Sequence, residues 1–76
     1  MTTFETVKSM LAKQLKVEES AITESSRLVE DLRADSATVM VMIMDLEDTF
    51  GIMVEDDQIM KLRTVGDVVA YIDANK

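Results

Sequence analysis

Apolar residues recur at helical spacing near both ends of the chain, and each of these stretches contains a polar capping pattern. Thr2 and Glu5 stand three positions apart, as in a capping box, and Thr64 and Asp67 repeat the arrangement. The apolar positions fall on one helical face in each stretch: Phe4, Val7, Leu11 and Leu15 in the first, and Val65, Val68, Val69 and Ile72 in the second. The pattern predicts an amphipathic helix at each end.

A middle helix is predicted to begin near Ser36 and to end at Gly51, where glycine suits the left-handed residue that closes many helices. This helix is apolar on two sides. One broad stripe is expected to face the core: Val39, Met42, Ile43, Leu46 and Phe50. A second stripe lies on the flank of Ser36 and continues into Glu47 and Asp48: Ala37, Met40, Val41 and Met44. It either packs beneath the preceding loop or forms a docking surface, because adaptable methionines within an acidic rim are typical of such surfaces.

The segment from 17 to 35 lacks helical periodicity and is rich in Ser, Thr and Glu. We predict a long loop there with one short helical turn, held to the core by four apolar side chains: Ile22, Leu28, Val29 and Leu32.

A short third helix is predicted to start at Asp56 or Asp57 and to cover Gln58 to Lys61. The expected fold is a single all-α domain, residues 1–76, a small bundle of three main helices plus one short helix with the long loop between the first and second helices.

The composition excludes several classes of function. There is no Cys, His or Trp. Without Cys and His, the chain has no thiolate or imidazole group to act as a nucleophile, a general base or a metal ligand. Fifteen acidic residues oppose eight basic ones, for a net charge of −7, and residues 17–57 hold twelve acids against Arg27 and Arg33. This charge disfavours nucleic acid and favours basic protein surfaces as partners. The first residues do not resemble a signal peptide and no apolar run could span a membrane, so we expect a cytoplasmic monomer.

Two interpretations of Ser36 follow from the residues alone. A Ser or Asp just before an apolar helix is usually an N-cap, whose side chain accepts a backbone N–H. The start of a helix is also where a phosphate is best accommodated, because free N–H groups and the positive end of the dipole meet there. Ser36 could therefore cap the helix or carry a covalent phosphoryl group.

Other acidic groups have simpler explanations than chemistry. The run of Glu55, Asp56 and Asp57 could bind a divalent cation, but a solvated cap for the short third helix is the simpler interpretation, and we expect no metal site. Paired carboxylates could perform acid–base catalysis, but nothing in the pattern suggests a catalytic cleft. We expect no enzymatic activity and no catalytic residue.

The stretch EDLRADSATVMVMIMDLEDTFG, residues 30–51, resembles the prosthetic-group site of acyl carrier proteins. The usual form of that site reads Asp-Leu-Gly-Ala-Asp-Ser-Leu, followed by an amphipathic helix ending Leu-Glu-Glu-x-Phe, and the likeness extends over essentially the whole chain. It implies that Ser36 carries 4′-phosphopantetheine, transferred from coenzyme A by a dedicated transferase that recognises Asp35 as part of the motif. The arm would supply the thiol that this chain lacks and would hold growing acyl chains as thioesters for the enzymes of fatty acid synthesis.

The same resemblance implies a pocket and a docking surface. The long loop and the helical core would form a pocket that sequesters an apolar chain, and Met-rich walls suit this because they yield without exposing polar groups. Partner enzymes of the family dock through basic patches onto the helix that begins at the modified serine. The residues expected to take part here are Ala37, Met40, Val41, Met44, Glu47, Asp48 and Asp56.

Four positions depart from the family pattern. Arg33 stands where the family usually has Gly, and Ala37 replaces the leucine that commonly follows the serine. Thr38 and Val41 occupy positions where acidic residues are frequent, so the front of the docking helix is less acidic than usual. These departures leave open a dedicated carrier in another thioester pathway, such as polyketide assembly or D-alanyl transfer. A small acidic interaction module, in which Ser36 is an unmodified cap, is the alternative from another functional class.

Overall fold

The computed structural model describes residues 2–75, and helices dominate this part of the chain. The helices are α1 (Thr3–Leu15), α2 (Ser36–Phe50), α3 (Asp56–Ile59) and α4 (Val65–Asn75), and a 3-10 turn spans Glu19–Ala21 in the long loop. The expected all-α bundle with one short helix is therefore confirmed. The third helix ends at Ile59, two residues before the predicted Lys61. Within residues 2–75, no helix has the length and apolar character needed to cross a membrane.

Both predicted capping boxes form. In α1, the hydroxyl of Thr2 accepts the N–H of Glu5, and the Glu5 carboxylate accepts the N–H of Thr2, each at 3.1 Å. In α4, the N–H of Asp67 donates to Thr64 Oγ1 at 3.1 Å, and the N–H of Thr64 donates to Asp67 Oδ2 at 3.2 Å. At the C-terminal end of α2, Gly51 adopts φ 64°, the left-handed conformation expected of a closing glycine. Local polar signals thus fix where these helices start and stop.

The core is built from the predicted helical stripes. α1 packs against both α4 and α2. The most deeply buried side chains of these helices are Val7, Leu11, Met42, Ile43, Leu46, Val65, Val68 and Ile72, with Phe4, Leu15, Val39 and Phe50 packed partly buried against them. Tyr71 lies at the core edge, where its hydroxyl donates to the carbonyl of Met53 at 3.1 Å.

The long loop is held by the core and by backbone pairing with the segment before α4. Ile22, Leu28 and Leu32 are buried as predicted, but Val29 is 62% exposed, so its prediction as an anchor was wrong. The N–H of Leu28 donates to the carbonyl of Arg63 at 2.9 Å, and the N–H of Val65 donates to the carbonyl of Ser26 at 3.0 Å. These bonds bring residues 26–28 beside residues 63–65, which are distant in sequence.

Gly66 allows α4 to approach the loop closely. Its N–H donates to the carbonyl of Glu24 at 2.8 Å, and a Cβ at this position would lie only 2.9 Å from the same oxygen. Any side chain at Gly66 would therefore push the loop away from the helix. The glycine in the first turn of α4 is explained by this contact.

Arg33, one of the four departures from the resemblance, adopts the left-handed φ of 60°. A residue with a Cβ costs about 1–2 kcal/mol in this conformation, whereas glycine adopts it freely but loses more chain entropy on folding. We expect Arg33→Gly to raise the free energy of unfolding by about 0.5–1 kcal/mol, measured by urea denaturation. Arg33→Ala removes the charge but keeps the strain, so it is the matched control and should not stabilise. Equal stabilisation by both variants would instead implicate the charge.

Candidate functional site

Asp35, not Ser36, caps α2. Its backbone is extended and its Oδ1 accepts the N–H of Thr38 at 2.8 Å, the contact made by an N-cap side chain. Ser36 is the first helical residue, and its side chain is exposed. The interpretation of Ser36 as the cap is therefore wrong by one residue. Its hydroxyl forms no hydrogen bond with the residues from 2 to 75, so it is available at the helix start.

The cap also changes the acidity of Asp35. The hydrogen bond from the Thr38 backbone N–H favours the carboxylate and holds the pKa of Asp35 below its ordinary value. At neutral pH the residue preceding Ser36 is therefore a carboxylate whose position is fixed by the helix it caps.

This pKa shift predicts a loss of stability in acid. A carboxyl whose pKa is lowered by folding stabilises the protein above its unfolded pKa of about 4, and this contribution disappears as pH falls through the lower folded value. Asparagine can also cap a helix but does not titrate there. We therefore expect the melting temperature of the wild type to fall more steeply below about pH 4 than that of Asp35→Asn. If the melting temperatures of the two proteins fell in parallel with pH, titration of Asp35 would not be a cause of the loss of stability in acid.

A cleft opens beside Ser36. Its volume is about 660 Å³, within the range of about 300–1,000 Å³ that is typical of small-molecule pockets. One wall is formed by the start of α2 and another by the long loop, while the segment from α3 to α4 completes it. The apolar lining residues are Leu28, Val29, Ala34, Val39, Met40, Ile59, Met60 and Leu62. The expected pocket between the loop and the helical core is present, and it is predominantly aliphatic.

The part of the cleft formed by residues 59–63 was not predicted from the sequence. Its apolar residues carry no signal beyond a short helical pattern, and they reach the cleft because Arg63 pairs with Leu28 through their backbones. This pairing depends on the packing of the loop against the core. A local pattern could not have revealed it.

The second apolar stripe of α2 remains uncovered. Val41 is 52% exposed and Met44 is 61% exposed, and Ala37 is also exposed, so the alternative in which the loop covers this stripe is wrong. Met40 is partly exposed and also lines the cleft. We call Ala37, Met40, Val41 and Met44 the α2 face. The α2 face is an apolar surface adjacent to Ser36.

The acidic residues expected near the α2 face differ in their surroundings. Asp48 and Asp56 are exposed. Glu47 is half-buried, and its Oε2 accepts the N–H of Val54 at 2.9 Å, so this carboxylate fastens the segment that follows α2. A docking contribution from Glu47 would therefore have to come in addition to a structural one.

The acidic run at the start of α3 is exposed, as a solvated cap requires. Glu55 occupies the N-cap position without a side-chain hydrogen bond, and Asp56 and Asp57 lie in the first turn, where the helix dipole favours negative charge. Across residues 2–75, no group of three or more His, Cys, Asp or Glu side chains is arranged to hold a metal ion.

Comparison with known proteins places this site in a family. The family model described as "Phosphopantetheine attachment site" matches residues 5–72. An acyl carrier protein of Helicobacter hepaticus is 47% identical over 76 residues, with 100% of both chains covered. One of Thermotoga maritima is 44% identical over 70 residues, which are 92% of this chain and 86% of that one. The solved acyl carrier protein of Enterococcus faecalis is similar with a TM-score of 0.85 at 33% identity, covering 100% of both chains.

Proposed function

The chain belongs to the acyl carrier protein family, and from that premise we propose that Ser36 is the residue that carries its 4′-phosphopantetheine arm. Proteins of this family hold growing acyl chains as thioesters on the arm and deliver them to the enzymes of fatty acid synthesis. In the attachment step a bond forms between Ser36 Oγ and the phosphorus that bears the pantetheine. The pyrophosphate bond of coenzyme A breaks, adenosine 3′,5′-bisphosphate leaves, and the serine proton is released to the solvent. The arm then provides a thiol to a chain that has no cysteine.

The main support for Ser36 is its position at the start of α2. The hydroxyl is exposed, and the capping role belongs to Asp35, so modification of the serine would cost the helix no hydrogen bond. The new phosphodiester would carry negative charge beside the positive end of a 15-residue helix, which favours anions. Both features allow a phosphoryl group at Ser36 without loss of fold stability.

The cleft supports a role in holding cargo. It adjoins Ser36 and its walls are mainly aliphatic and methionine side chains, which bury methylene groups favourably. An acyl chain on the arm could fold back into the cleft, where its methylene groups would be removed from contact with water. We propose that the chain acts as a carrier without catalytic activity of its own.

The α2 face and its acidic neighbours support docking of partner enzymes. We propose that the transferase and the acyl-processing enzymes dock there, with basic patches near Asp48 and Asp56 and apolar contacts on the α2 face. Val41 replaces an acidic residue of the family pattern, so apolar contact contributes more than usual. The acidity disfavours nucleic acid, and we propose a cytoplasmic monomer.

Intact mass measurement tests the attachment. The unmodified protein is incubated with coenzyme A and a broad-specificity phosphopantetheinyl transferase, and fragmentation then locates the added group. We expect the mass of one phosphopantetheine unit on the peptide containing Ser36. No mass gain with several transferases would contradict the carrier assignment of Ser36 and favour an unmodified interaction module. The acyl groups on the thiol then distinguish fatty acid synthesis from polyketide or D-alanyl pathways.

A substitution on the α2 face tests docking. Met44→Ser removes an exposed apolar side chain from the proposed interface, and burial of a methionine contributes up to about 1.5–3 kcal/mol. We expect the KM of the transferase for the unmodified carrier to rise by about 5–10-fold. Met53→Ser is the matched control, because Met53 is 81% exposed but lies outside α2. Equal effects of both substitutions would place the interface elsewhere.

A further inference from the structure

Four charged residues line the otherwise apolar cleft, and three of them already have partners. Arg27 pairs with Glu30 at 2.5 Å, and Asp35 accepts the N–H of Thr38. Arg63 is the fourth. Its guanidinium makes no ion pair or side-chain hydrogen bond with the described residues, 2–75, although its backbone N–H donates to Asp67. The cleft therefore contains one cationic group without a partner in this part of the chain.

Backbone hydrogen bonds connect Arg63 to the segment that leads to Ser36, and both residues line the cleft. Leu28 is the link, because its N–H donates to the carbonyl of Arg63 and its carbonyl accepts the N–H of Ala34, each at 2.9 Å. Ala34 lies two residues before Ser36, at the other wall of the cleft. Leu28 lines the cleft as well, so these two bonds connect Arg63 and Ala34 through one lining residue.

A cargo that ends in a methyl group could not form an ion pair or a hydrogen bond with this cation. We propose that the cleft selects an acyl chain of medium length with a carboxylate at its far end, and that the guanidinium of Arg63 binds this carboxylate. The proposal rests on the proposed attachment of cargo through Ser36. A guanidinium fits a carboxylate through two parallel hydrogen bonds, while the methylene groups lie against the aliphatic walls. Glu30 and Asp35 line the same cleft, but each is already engaged by a donor, which limits their repulsion of the incoming charge.

The expected preference is modest, because Arg63 is exposed at the rim. Ion pairs in such positions contribute about 0.2–1 kcal/mol, which corresponds to roughly a 1.5- to 5-fold change in the occupancy of the cleft. The preference should also weaken as salt concentration rises.

Protection of the thioester from a soluble nucleophile measures this occupancy. The carrier is loaded by a transferase from octanoyl-coenzyme A or octanedioyl-coenzyme A, and loading is verified by intact mass. The rate of cleavage by hydroxylamine is then measured and divided by the rate for the same thioester on free pantetheine. In the wild type we expect the octanedioyl thioester to be cleaved about threefold more slowly than the octanoyl thioester.

Two variants test whether Arg63 causes the slower cleavage of the octanedioyl thioester. Arg63→Gln should abolish the difference between the two thioesters. Lys61→Gln should retain it, because Lys61 is an exposed cation two residues away that does not line the cleft. Melting curves of both variants verify that they are folded. Equal protection of the two thioesters in the wild type, or an unchanged ratio in Arg63→Gln, would overturn the proposal while attachment stood. A wild type that gains no mass would overturn the attachment at Ser36 and this inference with it.

Discussion

A chain carrying Ser36→Ala is expected to gain no mass from coenzyme A and a transferase, while its melting temperature stays close to that of the wild type. Alanine removes the only atom of the side chain that can form the phosphodiester. The helix loses no cap, because Asp35 performs that role and Ser36 is exposed at the first helical position. Alanine is also favourable in a helix, so the change in the free energy of unfolding should stay within about 0.5 kcal/mol.

The neighbouring residue offers the opposite test. Asp35→Ala keeps the hydroxyl of Ser36 but leaves the N–H of Thr38 without its carboxylate acceptor. This variant should therefore melt at a lower temperature than the wild type, which Ser36→Ala should not. If Ser36→Ala were the less stable of the two, the serine would contribute to the fold in a way that its exposed position does not explain. If Ser36→Ala still gained the arm, another hydroxyl would be the attachment point, and Thr38 in the same first turn of α2 would be examined first.

These two residues also show how far the sequence could locate the site. The pattern placed the start of α2 near Ser36 correctly, because a polar pair before a long apolar run is a local signal. It could not decide which of two adjacent polar residues accepts the N–H of the first turn, since Asp and Ser are both good caps. That choice depends on the backbone angles of Asp35, and these are set by the loop that leads into the helix.

The helices were predictable for the same reason that the long loop was not. Capping boxes and helical stripes involve residues three or four positions apart, so the sequence contains both partners of each contact. The packing of the loop depends on residues that are far apart, such as Leu28 with Arg63 and Gly66 with Glu24. Leu28 and Val29 are equivalent as neighbouring apolar residues in the sequence, but only one of them can face the core. The cleft depends on this choice and therefore could not be derived from the pattern.

Leu28→Ala is expected to lower the free energy of unfolding by about 2–5 kcal/mol, the usual range for a fully buried leucine. Leu28 is only 1% exposed although it lies in a loop. A protein of 76 residues has a total stability of roughly 4–11 kcal/mol, so this one substitution would remove a large share of it. Urea denaturation at neutral pH measures the change.

Val29→Ala is the matched control for Leu28→Ala. Val29 is the next residue and also lines the cleft, but it is 62% exposed, so its truncation should change the free energy of unfolding by less than about 0.5 kcal/mol. A comparable loss in both variants would mean that the loop is held by its apolar content as a whole and not by one buried side chain. A large loss for Leu28→Ala alone would establish this loop as part of the core. The wall of the cargo cleft would then be as stable as the helices around it, because Leu28 is shared by the core and the cleft.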